Sequence, residues 1–364
     1  MPKKGDKVYH RKDGLWEARY VKEIDALGKK KYGSVYAKTC REVKEKRQNI
    51  LDNMLLCQTP VGVRSITVAR LVKEWLYLNR QRLKVSTYQR YEGFWTNHIE
   101  KTIGPQVAFH CSTLALYEFG MERLKTGLSP GSVNSVLIFL HSCFKYGHRQ
   151  YHLPMPDFMY FPTDHKEMRV FSREEQRCLE RYLFDRMDIY KFGVLLTLYT
   201  GLRVGELCAL QWEDVQPNSI MVRKTMQRLR KEDGQGSEVV IGEPKTPTSA
   251  RVIPVPSFLG EYVEFFKAQG KEQTYFLGVL GQTIVEPRVM QYKFKQYLRD
   301  LGIEGATFHT LRHTFATRCV ECNFELKSLS EVLGHSAVEF TLNKYVHSSM
   351  DQKRRNMEKL KRLS

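Results

Sequence analysis

No run of about eighteen apolar residues occurs in this 364-residue chain, so no membrane-crossing helix is expected. The first residues, Met1 to Lys12, are basic and polar rather than the apolar core of a secretory leader, and a cytosolic protein is expected. Cysteines do not pair up. The eight (Cys40, Cys57, Cys111, Cys143, Cys178, Cys208, Cys319 and Cys322) are scattered, mostly in apolar helical contexts, as buried free thiols are. Cys319-Val-Glu-Cys322 has the spacing of a redox or zinc pair, but no second pair accompanies it, and core thiols are the better reading. His309 and His313 are four apart, yet Thr310 stands where a zinc protease carries its glutamate, so no metal site is expected. A glycine-rich nucleotide-binding loop is missing as well, and no cofactor is expected. Acidic residues are in short supply: 40 Asp and Glu face 58 Lys and Arg, a net charge of +18 that marks a nucleic-acid partner.

The length calls for two or three domains. Residues 1–58 alternate in short runs at Val8–His10, Leu15–Val21 and Lys31–Ala37, followed by a helix from about Thr39 to Leu56. This is a small three-stranded sheet backed by a helix, with 15 basic against 8 acidic residues. Arg19, Lys30 and Tyr32 sit on its strands, where they form either a face that enters a major groove or a solvated charged surface. Thr59-Pro60-Val61-Gly62 reads as a linker. From 63 to 162 the pattern is helical: one helix opens at Thr67, a second is capped by Ser86, a third starts at Thr113 and a fourth at Ser129-Pro130. Arg80, Arg82, Lys84 and Arg90 crowd the first joint, and Lys145, His148 and Arg149 end the last helix. Both groups can clamp phosphates; the second also suits the negative end of a helix. Leu153–Lys166, with three prolines, reads as a strand-like connector.

From 167 to 364 the sequence is mainly helical with a small antiparallel sheet. Ser172 and Glu175 form a capping box, and Ile189–Tyr199 is a buried helix stopped by Gly201. Arg203 follows at once and needs a partner, which Glu206 can supply, whether as a structural ion pair or as the orienter of a phosphate clamp. Ile220–Met226 and Val239–Ile241 read as strands, and Glu243 to Val255 as a hairpin with Lys245 at its rim and Arg251, a candidate phosphate contact, after the turn. Phe258–Gln269 and Pro287–Leu301 are helices. In the next helix Phe308, Leu311, Phe315 and Cys319 share a buried face, while His309, Arg312 and Ala316 share another. Gly334 ends a further helix, His335 falls in the joint, and Tyr345 lies three turns into the last one. Arginine and histidine side by side suit an anionic oxygen, and a phenol nearby is a potential nucleophile if cations lower its pKa.

Taken in order, Thr200-Gly-Leu-Arg-Val-Gly-Glu-Leu207, Lys245, His309-Thr-Leu-Arg312, Leu333-Gly-His-Ser336 and Tyr345 resemble the signature of the tyrosine recombinases, the phage integrase family. The resemblance covers roughly the last two hundred residues. It implies a tyrosine recombinase fold and a metal-free, ATP-free phosphoryl transfer in which Tyr345 attacks a DNA phosphate. Arg203 and Arg312 would clamp the non-bridging oxygens, His309 and His335 donate hydrogen bonds or handle protons, Lys245 protonate the leaving 5′ oxygen, and Glu206 stand behind the arginines. The N-terminal unit resembles the arm-type DNA-binding domain of integrases from conjugative elements and temperate phages, and residues 63–162 the core-binding domain. Further implications are double-stranded DNA attachment sites, a homotetramer on DNA with exchange of the C-terminal tail, accessory excisionase and DNA-bending proteins, and a bacterial cytoplasmic, nucleoid-associated location. Two other readings, a non-catalytic DNA-binding regulator of the same fold and a type IB topoisomerase-like relaxing enzyme, share parts of the pattern.

Overall fold

The computed structural model describes residues 8–11, 13–24, 30–58, 65–163, 168–231, 235–243, 250–269, 274–278, 284–334 and 357, with the backbone alone at 22–24, 30–31 and 52–58. The chain divides into two compact units, Met1–Asp164 and His165–Ser364, whose boundary falls within the expected connector.

The first unit opens with strands β1 (Val8–His10), β2 (Trp16–Ile24) and β3 (Lys30–Ala37), an antiparallel sheet in that order, followed by helix α1 (Cys40–Gln58). Ala18, Ala37 and Val43 form a small core, with Val8, Trp16 and Val35 packed against it. Because strand residues alternate faces, Tyr9, Glu17, Arg19, Ser34 and Tyr36 project from the opposite side. β2 runs past the expected end at Val21 through a register shift between Val21 and Glu23.

Helices α2 (Val68–Asn79), α3 (Val85–Phe94), α4 (Thr113–Lys125) and α5 (Pro130–Tyr151) share a second core that includes Leu71, Val72, Trp95, Val136, Leu140 and Phe144. Thr67, Ser112 and Ser129 cap three of these, each hydroxyl accepting an N–H three residues on. The expected cap at Ser86 is corrected. α3 begins at Val85, and it is the Lys84 carbonyl that takes the Thr87 and Tyr88 N–H groups at 2.9 and 3.0 Å. The helix then widens into a π turn, Trp95–Ile99, which buries both of those residues. The connector forms no strand among its described residues, since its prolines supply no N–H. The Asn134 amide instead pairs with the backbone of Phe161, donating to its carbonyl at 2.8 Å and accepting its N–H at 2.9 Å.

The second unit contains α6 (Arg173–Phe184), opened by the expected capping box, the buried α7 (Ile189–Thr200) and the short α8 (Val204–Ala209). Strands β4 (Val215–Gln216), β5 (Ser219–Val222) and β8 (Arg251–Pro254) form one sheet in the order β4-β5-β8, while β6 (Thr225–Arg230) pairs with β7 (Ser237–Gly242) in another. This corrects one expectation. The run Ile220–Met226 is not one strand: it breaks at Arg223-Lys224 and its halves take different partners. The turn of the expected hairpin around Lys245, residues 244–249, lies outside the described residues. Helices α9 (Ser257–Gln269), α10 (Pro287–Asp300), α11 (Phe308–Glu321) and α12 (Leu326–Leu333) complete the unit, and α11 packs across α7.

Candidate active site and nucleic-acid interface

The site is built where the carbonyl ends of two helices meet an arginine-rich cluster. α7 stops at Gly201, in the left-handed conformation at φ 66°, and the extended Arg203 starts α8. Glu206, three residues on, reaches back to accept the Arg203 backbone N–H at 2.9 Å and the Arg203 Nη1 at 2.7 Å. The i, i+3 spacing therefore fixes both the helix start and the side-chain direction. Arg251 approaches the same carboxylate from β8, with Nη2 2.9 Å from Oε2 and Nη1 3.2 Å from Oε1. Its Nε donates to the Val332 carbonyl at 2.6 Å. Glu206 is 3% exposed, and burial alone would raise its pKa; the Arg251 hydrogen bonds and charge, with those of Arg203, outweigh burial and hold it at about 2.

Arg312, on α11, is only 2% exposed. Its Nη1 donates to the Gly201 carbonyl at 2.6 Å and its Nη2 to the Leu333 carbonyl at 2.5 Å. These are carbonyls at the C-terminal ends of α7 and α12, the negative ends of both helices. The second face of α11 is thus buried at Arg312 and Ala316, which is inaccessible. His309, one turn earlier, is exposed on the same helix, its ring 4.5 Å from that of the buried His313. α11 is fixed at the other end by Arg318, whose Nη2 donates to the Phe171 carbonyl at 2.7 Å.

Among the expected catalytic residues, then, Arg203 and Arg312 are brought together through Gly201, with Glu206 beside them, and His309 lies one turn away. Lys245, His335 and Tyr345 lie outside the described residues, as do the linker Thr59–Gly62 and the tail helix apart from Met357. Arg251, the candidate phosphate contact, is 9% exposed and held by Glu206 and Val332, a buried member of the cluster. Its parity on β8 carried the signal, because Arg251 and Ile253 alternate inward while Val252 is half exposed. Three guanidiniums and one carboxylate converge here, a balance that favours an anion.

The expected DNA-facing residues of the first unit fall into two groups. On the open sheet face Tyr9, Tyr32 and Tyr36 are each about half exposed. Arg19 lies on Glu17 at 3.0 Å and over the Tyr9 ring, and Ser34 donates to the same carboxylate at 2.8 Å. These contacts hold the Glu17 carboxyl below its ordinary value. The side chain of Lys30 is not among those described. In the helical part Arg80, Arg82, Lys84 and Arg90 are all exposed. Arg82 shares a cleft with Lys145 and Arg149, lined also by Asn79, Ser142 and Tyr146. Arg82 from one basic group and Lys145 and Arg149 from the other are thus neighbours although far apart in sequence.

Comparison with known proteins places this arrangement. The profile of the phage integrase family matches residues 181–352. A tyrosine recombinase XerC-like protein of Caldanaerobacter subterraneus subsp. tengcongensis is 26% identical over 92% of this chain and 93% of its own length. The ICEBs1 integrase of Bacillus subtilis is 24% identical over 82% of this chain and 83% of its own. In fold, the Tn1549 transposon integrase in complex with a circular intermediate DNA superposes with a TM-score of 0.70 at 23% identity, covering 82% of this chain and 100% of that one. A lambda integrase tetramer bound to a Holliday junction gives 0.58 at 13% identity over 96% and 98%. With relatives aligned along nearly its whole length and its arginine cluster inside the matched region, the chain is similar to the tyrosine recombinases, and residues 181–352 match the phage integrase family.

Proposed function

We propose that the protein integrates and excises a mobile DNA element by site-specific recombination. The single observation that carries this reading is the cluster in which Arg203 and Arg251 share the Glu206 carboxylate while Arg251 and Arg312 hold the carbonyl ends of two helices, on elements that come in the family's order. In the proposed reaction the Tyr345 oxygen attacks a scissile phosphate in line, forming a P–O bond to tyrosine as the bond to the 5′ oxygen breaks. Lys245 supplies the proton that the 5′ oxygen takes up. Arg203 and Arg312 stabilise the charge gathering on the non-bridging oxygens, and His309 and His335 donate to them or relay the tyrosine proton. The 3′-phosphotyrosine ester keeps the energy of the broken bond, so an incoming 5′ hydroxyl reverses the step on a new partner strand. Each preorganised donor in such a site is worth about 3–4 kcal/mol of barrier.

The rest of the chain supplies grip. The open sheet face of residues 1–58 suits distal sites on the element, and the basic cleft of 63–162 suits the backbone around the crossover. The fold shared with a lambda integrase tetramer supports a homotetramer on double-stranded attachment sites, with tail exchange from the segment after Met350. Excisionase and DNA-bending partners, and a place on the bacterial nucleoid, belong to the same reading. The test is a duplex carrying the junction sequence that the protein itself forms in cells, nicked beside the cleavage site so that the cut end diffuses away. A trapped covalent adduct that disappears in Tyr345→Phe supports the enzyme, whereas tight binding without adduct assigns the chain to a DNA-binding regulator.

A further inference from the structure

We infer that Arg251 is a positioning residue for strand cleavage. Its guanidinium locks the Glu206 carboxylate behind Arg203 and, through Nε, ties that pair to the carbonyl end of α12. The inference rests on the proposed role of Arg203 and Arg312 at the scissile phosphate.

The geometry is specific. Arg251 uses both terminal nitrogens on the two oxygens of Glu206, at 2.9 and 3.2 Å, a two-pronged grip that leaves the carboxylate little freedom. Glu206 in turn spends one oxygen on each of the Arg203 backbone N–H and Nη1. Removing Arg251 therefore frees the group that aims Arg203. The third nitrogen, Nε, holds Val332, and Arg312 holds the next carbonyl, Leu333. Two arginines from different elements thus fix consecutive carbonyls at the end of α12. His335 is only two residues further in sequence.

Space is tight around this joint. A Cβ on Gly334 would sit 3.1 Å from Arg251 Cδ and Nη1, and the residue is left-handed at φ 65°, so glycine is required both for the turn and for the arginine beside it. The Arg251 side chain is 6% exposed, and its three nitrogens have acceptors on Glu206 and Val332. A smaller or shorter side chain cannot repeat the arrangement: lysine keeps the charge but has one nitrogen for three acceptors.

The test compares full-length protein with Arg251→Met, Arg251→Lys and Arg203→Ala on the nicked duplex described above. Each is assayed once with the natural scissile phosphate and once with a neutral methylphosphonate in its place. Arg251→Met is expected to bind intact duplex within about threefold of the parent while single-turnover cleavage falls about 100-fold, as misplacement of a reacting group by an ångström does. Arg251→Lys should recover part of that rate. On the methylphosphonate, which has no charge for Arg203 to neutralise, the Arg251→Met defect should shrink below about tenfold, in parallel with that of Arg203→Ala.

An undiminished cleavage rate overturns the inference. So does an equal defect on both phosphates, which marks a structural loss only, or a parallel loss of binding, which puts Arg251 on the DNA. If Arg203→Ala is insensitive to the phosphate charge, the reading of the site itself fails. Should Arg251→Met not fold, Arg251→Lys carries the same comparison.

Discussion

At Arg312 a full positive charge is taken to 2% exposure, which is costly unless strong acceptors surround it. Two helix-end carbonyls, one on each terminal nitrogen, supply such acceptors and fix the plane of the guanidinium. Glu206 plays the complementary part, and its chemistry fixes a pH dependence. Its folded pKa, about 2, lies below the unfolded value of 4.5, so its contribution to stability is complete above about pH 4.5 and is lost as pH falls toward 2. Glu206→Gln is expected to melt lower at pH 7, by the equivalent of roughly 3 kcal/mol, because Arg251 and Arg203 lose their shared counter-charge. The melting temperature of the variant should also fall less steeply between pH 5 and 3, which calorimetry across that range checks. At this scale the sequence was readable for Arg203 and Glu206, whose spacing brings them together on one helix. It was not readable for Arg251, whose partners Glu206 and Val332 lie 45 and 81 residues away.

The corner between α7 and α8 sets the site, and it depends on a close approach of backbone to backbone. A Cβ on Gly205 would lie 2.6 Å from the Met226 carbonyl oxygen and 2.8 Å from Thr225 Oγ1, so α8 must pack against β6 without a side chain. Gly205→Ala is expected to destabilise the protein by about 1–3 kcal/mol by forcing these elements apart, measured by urea unfolding with an unchanged m-value. Cleavage should fall as well, since Arg203 rides on α8. Helices whose ends carry local chemistry were legible: Thr67, Ser129, Ser172 and Gly334 mark boundaries that the structure keeps. The strands were less so. Nothing in Ile220–Met226 announces that β5 pairs with a strand about thirty residues on while β6 pairs with its immediate successor, because pairing is decided by tertiary contacts rather than by propensity.

Over the whole molecule the excess of 18 positive charges gives affinity for any duplex, and the local clusters decide where it is held. The cleft of Arg82, Lys145 and Arg149 is the cluster proposed for the helical part. Replacing Lys145 and Arg149 with glutamine should weaken binding to all sequences alike and lower the slope of log affinity against log salt by about 0.9 for each phosphate no longer neutralised. Titrations at several salt concentrations check this, and an unchanged slope places the duplex elsewhere. The central claim concerns one bond. Protease digestion and mass spectrometry of the adduct trapped on the nicked duplex identify the residue that carries the DNA. The account predicts a nucleotide ester on the peptide containing Tyr345, formed by the parent protein and lost in Tyr345→Phe. A nucleotide on any other side chain, or an adduct that survives that substitution, contradicts it.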